Sequence, residues 1–127
     1  MLVSDAMSTD VLTIGPTHTL REAAARMSTR KVGAAVVMDS DQDQPGILTE
    51  RDILDTIARG QDVDTERVHD HLTSDIVVAA PDWDLEKAAA AMVGGGFRHL
   101  VVCRGSEVVG MLSVRDIVRV SISETVS

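Results

Sequence analysis

The chain has one cysteine, no tyrosine, one phenylalanine and one tryptophan, and it carries fewer basic than acidic side chains. A single cysteine excludes an intramolecular disulfide and any thiolate-rich zinc site. Cys103, inside the run Leu100-Val101-Val102-Cys103, reads as a small buried hydrophobe in a reducing compartment. Twelve Lys and Arg against twenty Asp and Glu give a formal charge of −8, so the average surface repels nucleic acid and anionic lipid. A local arginine cluster can still hold a small anion, because screening over about 8 Å isolates a pocket from distant carboxylates. No apolar run approaches the ~18 residues of a membrane span, and Met1-Leu2-Val3-Ser4-Asp5 lacks the basic start of a signal peptide. The expectation is a soluble cytoplasmic protein.

What the chain does have is enough apolar residue to fold: 44% apolar and 25% charged over 127 residues suit one compact unit or two very small ones. It also has an internal repeat. At an offset of 65, Val3, Asp5, Asp10, Pro16, Leu20, Ala23, Ala24, Ala25, Met27, Val36 and Val37 fall on identical residues, from Val68 to Val102. Beyond those valines the offset is 64: Gly46, Leu48, Arg51, Asp52 and Ile53 meet Gly110, Leu112, Arg115, Asp116 and Ile117. The lost residue belongs to the polar loop between Met38 and Pro45, whose shorter counterpart is Arg104-Gly105-Ser106-Glu107.

Periodicity gives each copy the same order. Val11 to Ile14 reads as a strand closed by Gly15-Pro16, and Thr19-Leu20-Arg21-Glu22 has the spacing of a capping box ahead of Leu20, Ala23, Ala24 and Met27. Ala34 to Met38 and Gly46 to Leu48 read as two strands, and Thr49 to Ala58 as a helix stopped near Gly60. The expected fold is α/β, two β-α-β-β-α repeats at 1–60 and 61–127. Copies of about 60 residues are marginal alone, so the sheets are expected to pack together about a pseudo-twofold axis, with a cleft between them.

Gly46-Ile47-Leu48-Thr49-Glu50-Arg51-Asp52-Ile53 and Gly110-Met111-Leu112-Ser113-Val114-Arg115-Asp116-Ile117 share the pattern Gly, two apolar residues, Ser or Thr, two variable residues, Asp, apolar. With Asp5 to Val11 and Arg98-His99-Leu100-Val101-Val102, they make the chain resemble the CBS domain family, as a stand-alone tandem pair or Bateman module. The resemblance covers nearly the whole chain. It implies non-catalytic, regulatory binding of an adenosine-containing ligand (AMP, ADP, ATP or S-adenosylmethionine) and a homodimer, with no metal and no resident cofactor. By the same resemblance Asp accepts from the ribose hydroxyls and Ser or Thr faces the phosphates. One cavity would combine Ile47, Thr49, Arg51 and Asp52 with Ser74 to Ile76 and with Phe97, Arg98 and His99. Its twin would combine Met111, Ser113, Arg115 and Asp116 with Thr9 to Val11 and with Val32, Gly33 and Ala34. Arg51 and Arg98 would make the first the better host for a phosphorylated ligand.

Simpler readings stand beside these. The two Thr/Ser-x-x-Asp runs fit helix caps that need no ligand; the repeated Arg before Asp and the glycine ahead of each cap favour a site. His69-Asp70-His71 reads as solvated turn residues, since i,i+2 neighbours do not share a helical face and no third ligand is close in sequence. Gly94-Gly95-Gly96 follows a helix and reads as its flexible terminus. Trp83 covers a helix start or meets a partner. A ligand-free dimerising scaffold is the alternative function; an enzyme lacks a nucleophile with its base.

Overall fold

The computed structural model describes residues 1–126, with side chains through Ser123. Two three-stranded sheets and five α-helices make a mixed α/β fold. Packing divides the chain into two units, Leu12–Ile76 and Met1–Val11 with Val77–Ser127. Both are built on the same plan, although their boundaries differ from the repeat boundary at 60/61.

In the unit spanning Leu12–Ile76, β1 (Thr13–Ile14) lies parallel to β2 (Ala34–Val37), which pairs antiparallel with β3 (Gly46–Thr49). A parallel pair needs a long crossover, supplied here by helix α2 (Leu20–Arg30). Thr19 starts it: its hydroxyl oxygen accepts from the Glu22 amide at 3.1 Å, and its own hydroxyl donates to Glu22 Oε1 at 3.1 Å. The Thr19 backbone amide, 3.4 Å from Glu22 Oε1, and then the Thr19 hydroxyl donate to the Glu22 carboxylate and hold it below the usual carboxylate range. Leu20, Ala23 and Met27, spaced for one helical face, are buried with Leu12, Ile14, Ala35, Val37, Leu48 and Val68. Helix α3 (Glu50–Ala58) follows β3 directly and ends before Gly60, whose φ of +79° only glycine adopts freely.

The other unit repeats this order with β4 (Val78–Ala79), α4 (Leu85–Gly95), β5 (His99–Arg104), β6 (Glu107–Ser113) and α5 (Val114–Val126). A short helix, which we call α1 (Val3–Ala6), completes it. Val3, Ala6, Ala79, Ala88, Met92, Leu100, Val102 and Leu112 form its core. The one-residue difference between the repeats falls in the strand connection. Gly105, at φ +62°, and Ser106 make a tight turn, so β5 and β6 are longer than β2 and β3.

The lead segments account for the unit boundaries. Val3 N–H donates to Trp83 O at 2.8 Å and Ser4 N–H to Pro81 O at 2.9 Å; Val68 N–H donates to His18 O and His69 N–H to Pro16 O, both at 2.9 Å. These bonds correspond pair by pair at the repeat offset. Each helix-entry turn is therefore closed by the lead segment of the other repeat. Trp83 sits at such a turn, ahead of α4, packed on the core with Lys87 Nζ 4.0 Å from its ring centre, so it covers a helix start. Cys103 is buried, and burial pushes its thiol pKa up.

Candidate functional site

Each unit places its signature at the junction where a strand passes into a helix. Thr49 is the N-cap of α3, and its Oγ1 accepts from the Asp52 amide at 3.3 Å. Asp52 reaches back: its Oδ2 accepts from the Thr49 amide at 2.8 Å and hydroxyl at 3.0 Å. Ser113 and Asp116 repeat this geometry at the start of α5, with distances of 2.9, 3.0 and 3.1 Å. The caps expected from spacing are thus real, and each occupies only one oxygen of its aspartate. A capped, half-buried carboxylate is held in one rotamer, which preorganises its other oxygen for a ligand.

The two second oxygens differ. Asp116 Oδ1 accepts from the Arg119 guanidinium at 3.1 Å, and the same nitrogen donates to Ala6 O at 3.2 Å. Asp52 Oδ1 has no hydrogen-bond partner among the described residues. Arg51 is exposed and lies 3.6 Å from Asp55, one helical turn on.

The expected site residues sort by unit. Ile47, Thr49, Arg51 and Asp52 share theirs with Ser74 and Ile76, because Thr73 exchanges two backbone hydrogen bonds of 2.9 Å with Ile47. Val32, Gly33 and Ala34 belong there too: Ala34 pairs with Thr49, and the Glu50 amide donates to Gly33 O at 2.9 Å. Met111, Ser113, Arg115 and Asp116 share the other unit with Thr9 and Val11, through the Ser8–Met111 bridge, and with Phe97, Arg98 and His99. Arg98 is exposed and His99 half-buried.

The glycine of each signature has a packing reason. A Cβ on Gly46 would lie 2.8 Å from Leu72 Cδ1 and 3.1 Å from Thr73 O; on Gly110 it would lie 2.6 Å from Met7 Sδ and 2.9 Å from Ser8 O. The lead segment passes directly over these positions, so the glycine is not a mark of ligand contact. Gly110→Ala is expected to cost about 1–2 kcal/mol, since backbone and the partly buried Met7 thioether must both give way; urea unfolding measures this, and an unchanged midpoint would contradict it. In the triple-glycine run, Gly95 lies against the Phe97 ring, leaving no room for a Cβ, and Gly96 takes the left-handed helix end at φ +70°. That end is specified by geometry rather than by flexibility.

One expectation is corrected. His69 and Asp70 are exposed turn residues that pair at 3.0 Å, but most of the His71 side chain is covered. Its Nε2 lies 2.8 Å from Glu66 Oε1 and its Nδ1 3.2 Å from Thr56 Oγ1. Thr56 is fully buried and donates to Asp52 O at 2.8 Å. His71 thus fastens the segment before Ser74 to the helix that carries Asp52. No cluster of three metal-ligating side chains occurs among the described residues.

Sequence reasoning passed over Glu50 and Arg119 as site residues and set His71 in solvent. The first two were visible as mismatches at the repeat offset: Glu50 aligns with Val114, and Asp55 with Arg119.

Residues 3–59 and 68–123 each match the CBS domain family. An uncharacterised 17.7 kDa protein of Acidianus ambivalens is 35% identical over 118 residues, covering 92% of this chain and 71% of its own. The crystal structure of a CBS-domain containing protein from Agrobacterium tumefaciens superposes with a TM-score of 0.87 at 31% identity, covering 95% of this chain and 99% of the other. The CBS domain pair of protein MJ0100, crystallised with methylthioadenosine and S-adenosyl-L-methionine, has the same fold: TM-score 0.86, 22% identity, 95% and 99% coverage.

Proposed function

Since the chain belongs to the CBS domain family and carries the domain twice, we propose that it is a regulatory module whose ligand contains adenosine: AMP, ADP, ATP or S-adenosylmethionine. The observation that carries this reading is the pair of capped aspartates. Each uses one oxygen to close its own helix, and in Asp52 the other is available to the two hydroxyls of a ribose. A carboxylate accepting from a diol makes charge-assisted hydrogen bonds, while the hydroxyls of Thr49 and Ser113, the first amides of α3 and α5, and Arg51 or Arg115 suit a phosphate or another polar group at C5′. The structure determined with methylthioadenosine and S-adenosyl-L-methionine supports an adenosyl ligand for this fold.

The module binds its ligand without turning it over, and it needs no metal. Occupancy acts by population shift: a ligand with a tenfold preference for one arrangement biases it by about 1.4 kcal/mol. The output passes through association. Helix α3 exposes Leu54 and Ile57, each at 56%, and α5 exposes Val118 and Ile122, faces that suit a homodimer. The cytoplasm, where adenylates are abundant and a lone buried cysteine stays reduced, suits this role.

Titration calorimetry with adenosine, AMP and S-adenosylmethionine tests the reading. At least one is expected to bind saturably and to stabilise the fold by about 2.7 kcal/mol at a hundredfold excess over its Kd. Absence of binding by all three would leave the ligand-free scaffold, for which the exposed faces of α3 and α5 speak.

A further inference from the structure

The two junctions have the same geometry and opposite charge. Consider in each the first two turns of the helix together with the residue whose carbonyl accepts from the first helical amide. That residue is Gly33 for α3, receiving the Glu50 amide at 2.9 Å, and Arg98 for α5, receiving the Val114 amide at 3.0 Å. The charged residues of the first set are Glu50, Arg51, Asp52 and Asp55, with a formal total of −2. Those of the second are Arg98, Arg115, Asp116 and Arg119, with a formal total of +2. At the first junction Arg51 is already paired with Asp55, and the Glu50 carboxylate rests over the open face of Gly33, 3.0 Å from where a Cβ would stand. At the second, Arg119 occupies the outer oxygen of Asp116, while Arg98 and Arg115 are exposed.

We infer that the two junctions select ligands of opposite charge: the Asp52 junction takes an adenosyl compound that is neutral or cationic at C5′, and the Asp116 junction takes one bearing phosphate. The inference rests on the proposed function and adds its specificity. A phosphate brought to α3 meets three carboxylates within about one Debye length of each other, against a single arginine; a sulfonium or ammonium group meets attraction from the same set. At α5 the signs are reversed, and an incoming phosphate draws the Arg119 guanidinium, which a ribose alone would have to displace from Asp116. The resemblance set Arg98 with Asp52 in a cavity between repeats; Arg98 belongs to the unit of Asp116, and the charge count assigns it to that junction.

Titration calorimetry of the full chain with AMP and with S-adenosylmethionine, on wild type, Asp52→Ala, Asp116→Ala and Glu50→Gln, tests the selection. Asp116→Ala is expected to weaken AMP about tenfold or more while changing S-adenosylmethionine by less than about twofold, and Asp52→Ala the reverse. Glu50→Gln, an exposed and nearly isosteric change that leaves both caps intact, is expected to weaken S-adenosylmethionine about threefold and leave AMP unchanged. AMP following Asp52, or both ligands following the same aspartate, would overturn the charge selection and leave the adenosyl function standing. Failure of wild type to bind either of them, or adenosine, would remove both. Should an alanine variant fail to melt cooperatively, Glu50→Gln alone separates the outcomes: weaker S-adenosylmethionine with unchanged AMP supports the selection, and no change in either overturns it.

Discussion

Leu48→Ala is expected to lower the stability of the protein by about 2–5 kcal/mol, and Leu112→Ala by a similar amount. The two leucines are repeat equivalents, each one residue before the end of its strand, β3 or β6, each fully buried and each in the core of a different unit. The expected cost has two parts: loss of transfer free energy for the removed carbons, and the void left where relaxation is incomplete. Relaxation is limited here, because Leu48 is fixed through β3 to Ala35 on β2, and Leu112 through β6 to Leu100 on β5. Small domains hold only about 5–15 kcal/mol in total, so either change removes a large share. Val93→Ala, at a position 85% exposed on α4, is the control and is expected to stay within about 0.5 kcal/mol. Urea unfolding followed by circular dichroism checks all three. A loss below about 1 kcal/mol for both leucine variants would mean that the two cores are not what holds the sheets.

Those two leucines were legible as repeat equivalents, Leu48 within the expected strand Gly46 to Leu48. The order of elements, the capping boxes at Thr19, Thr49 and Ser113, and the loop that absorbs the one-residue difference were legible for the same reason: each is a local pattern written twice. Strand length was less so. Val11 and Leu12 look as extended as Thr13 and Ile14, but only Thr13 and Ile14 pair in register with Val36 and Val37; Leu12 contributes its carbonyl to Val36. The path of the lead segments could not be read from the repeat alone; the family resemblance set Ser74 to Ile76 with Asp52 and Thr9 to Val11 with Asp116. Comparing a chain with itself shows that Val3 corresponds to Val68, yet contains nothing about which copy each packs on, since both copies offer the same turn. That choice decides which residues join each aspartate: Ser74 and Ile76 lie in the unit of Asp52, Thr9 and Val11 in that of Asp116. The differing state of the two carboxylates was half legible. Aligned residues 55 and 119 carry opposite charges, but only coordinates show Arg119 reaching Asp116 while Asp55 turns to Arg51.

His71→Ala is expected to cost about 2–3 kcal/mol, whereas His69→Ala, two residues away, should stay within about 0.5 kcal/mol. Sequence gives no ground for separating the two; the difference is burial, 9% exposure for the His71 side chain against 46% for His69. The i,i+2 argument that set both histidines in solvent assumes a helix, but these residues straddle the end of a 3-10 turn, Val68–Asp70, and its last step swings His71 inward beneath α3. There the imidazole bridges Glu66 and Thr56, and removing it ends both bonds and opens a void beside a fully buried hydroxyl. Thr56 keeps its bond to Asp52 O, and Glu66, partly exposed, recovers water, so the cost stays below that of an orphaned charge. Thr56→Val supplies the complementary measurement. It retains the volume and leaves one ring nitrogen of a largely covered histidine without its partner, for an expected loss of about 1–3 kcal/mol. The double variant should then cost less than the sum of the single ones, by the coupling energy of residues in contact. Strict additivity in urea unfolding would show that His71 and Thr56 act separately, and that the segment leading to Ser74 is tied to the Asp52 helix by something other than this bond.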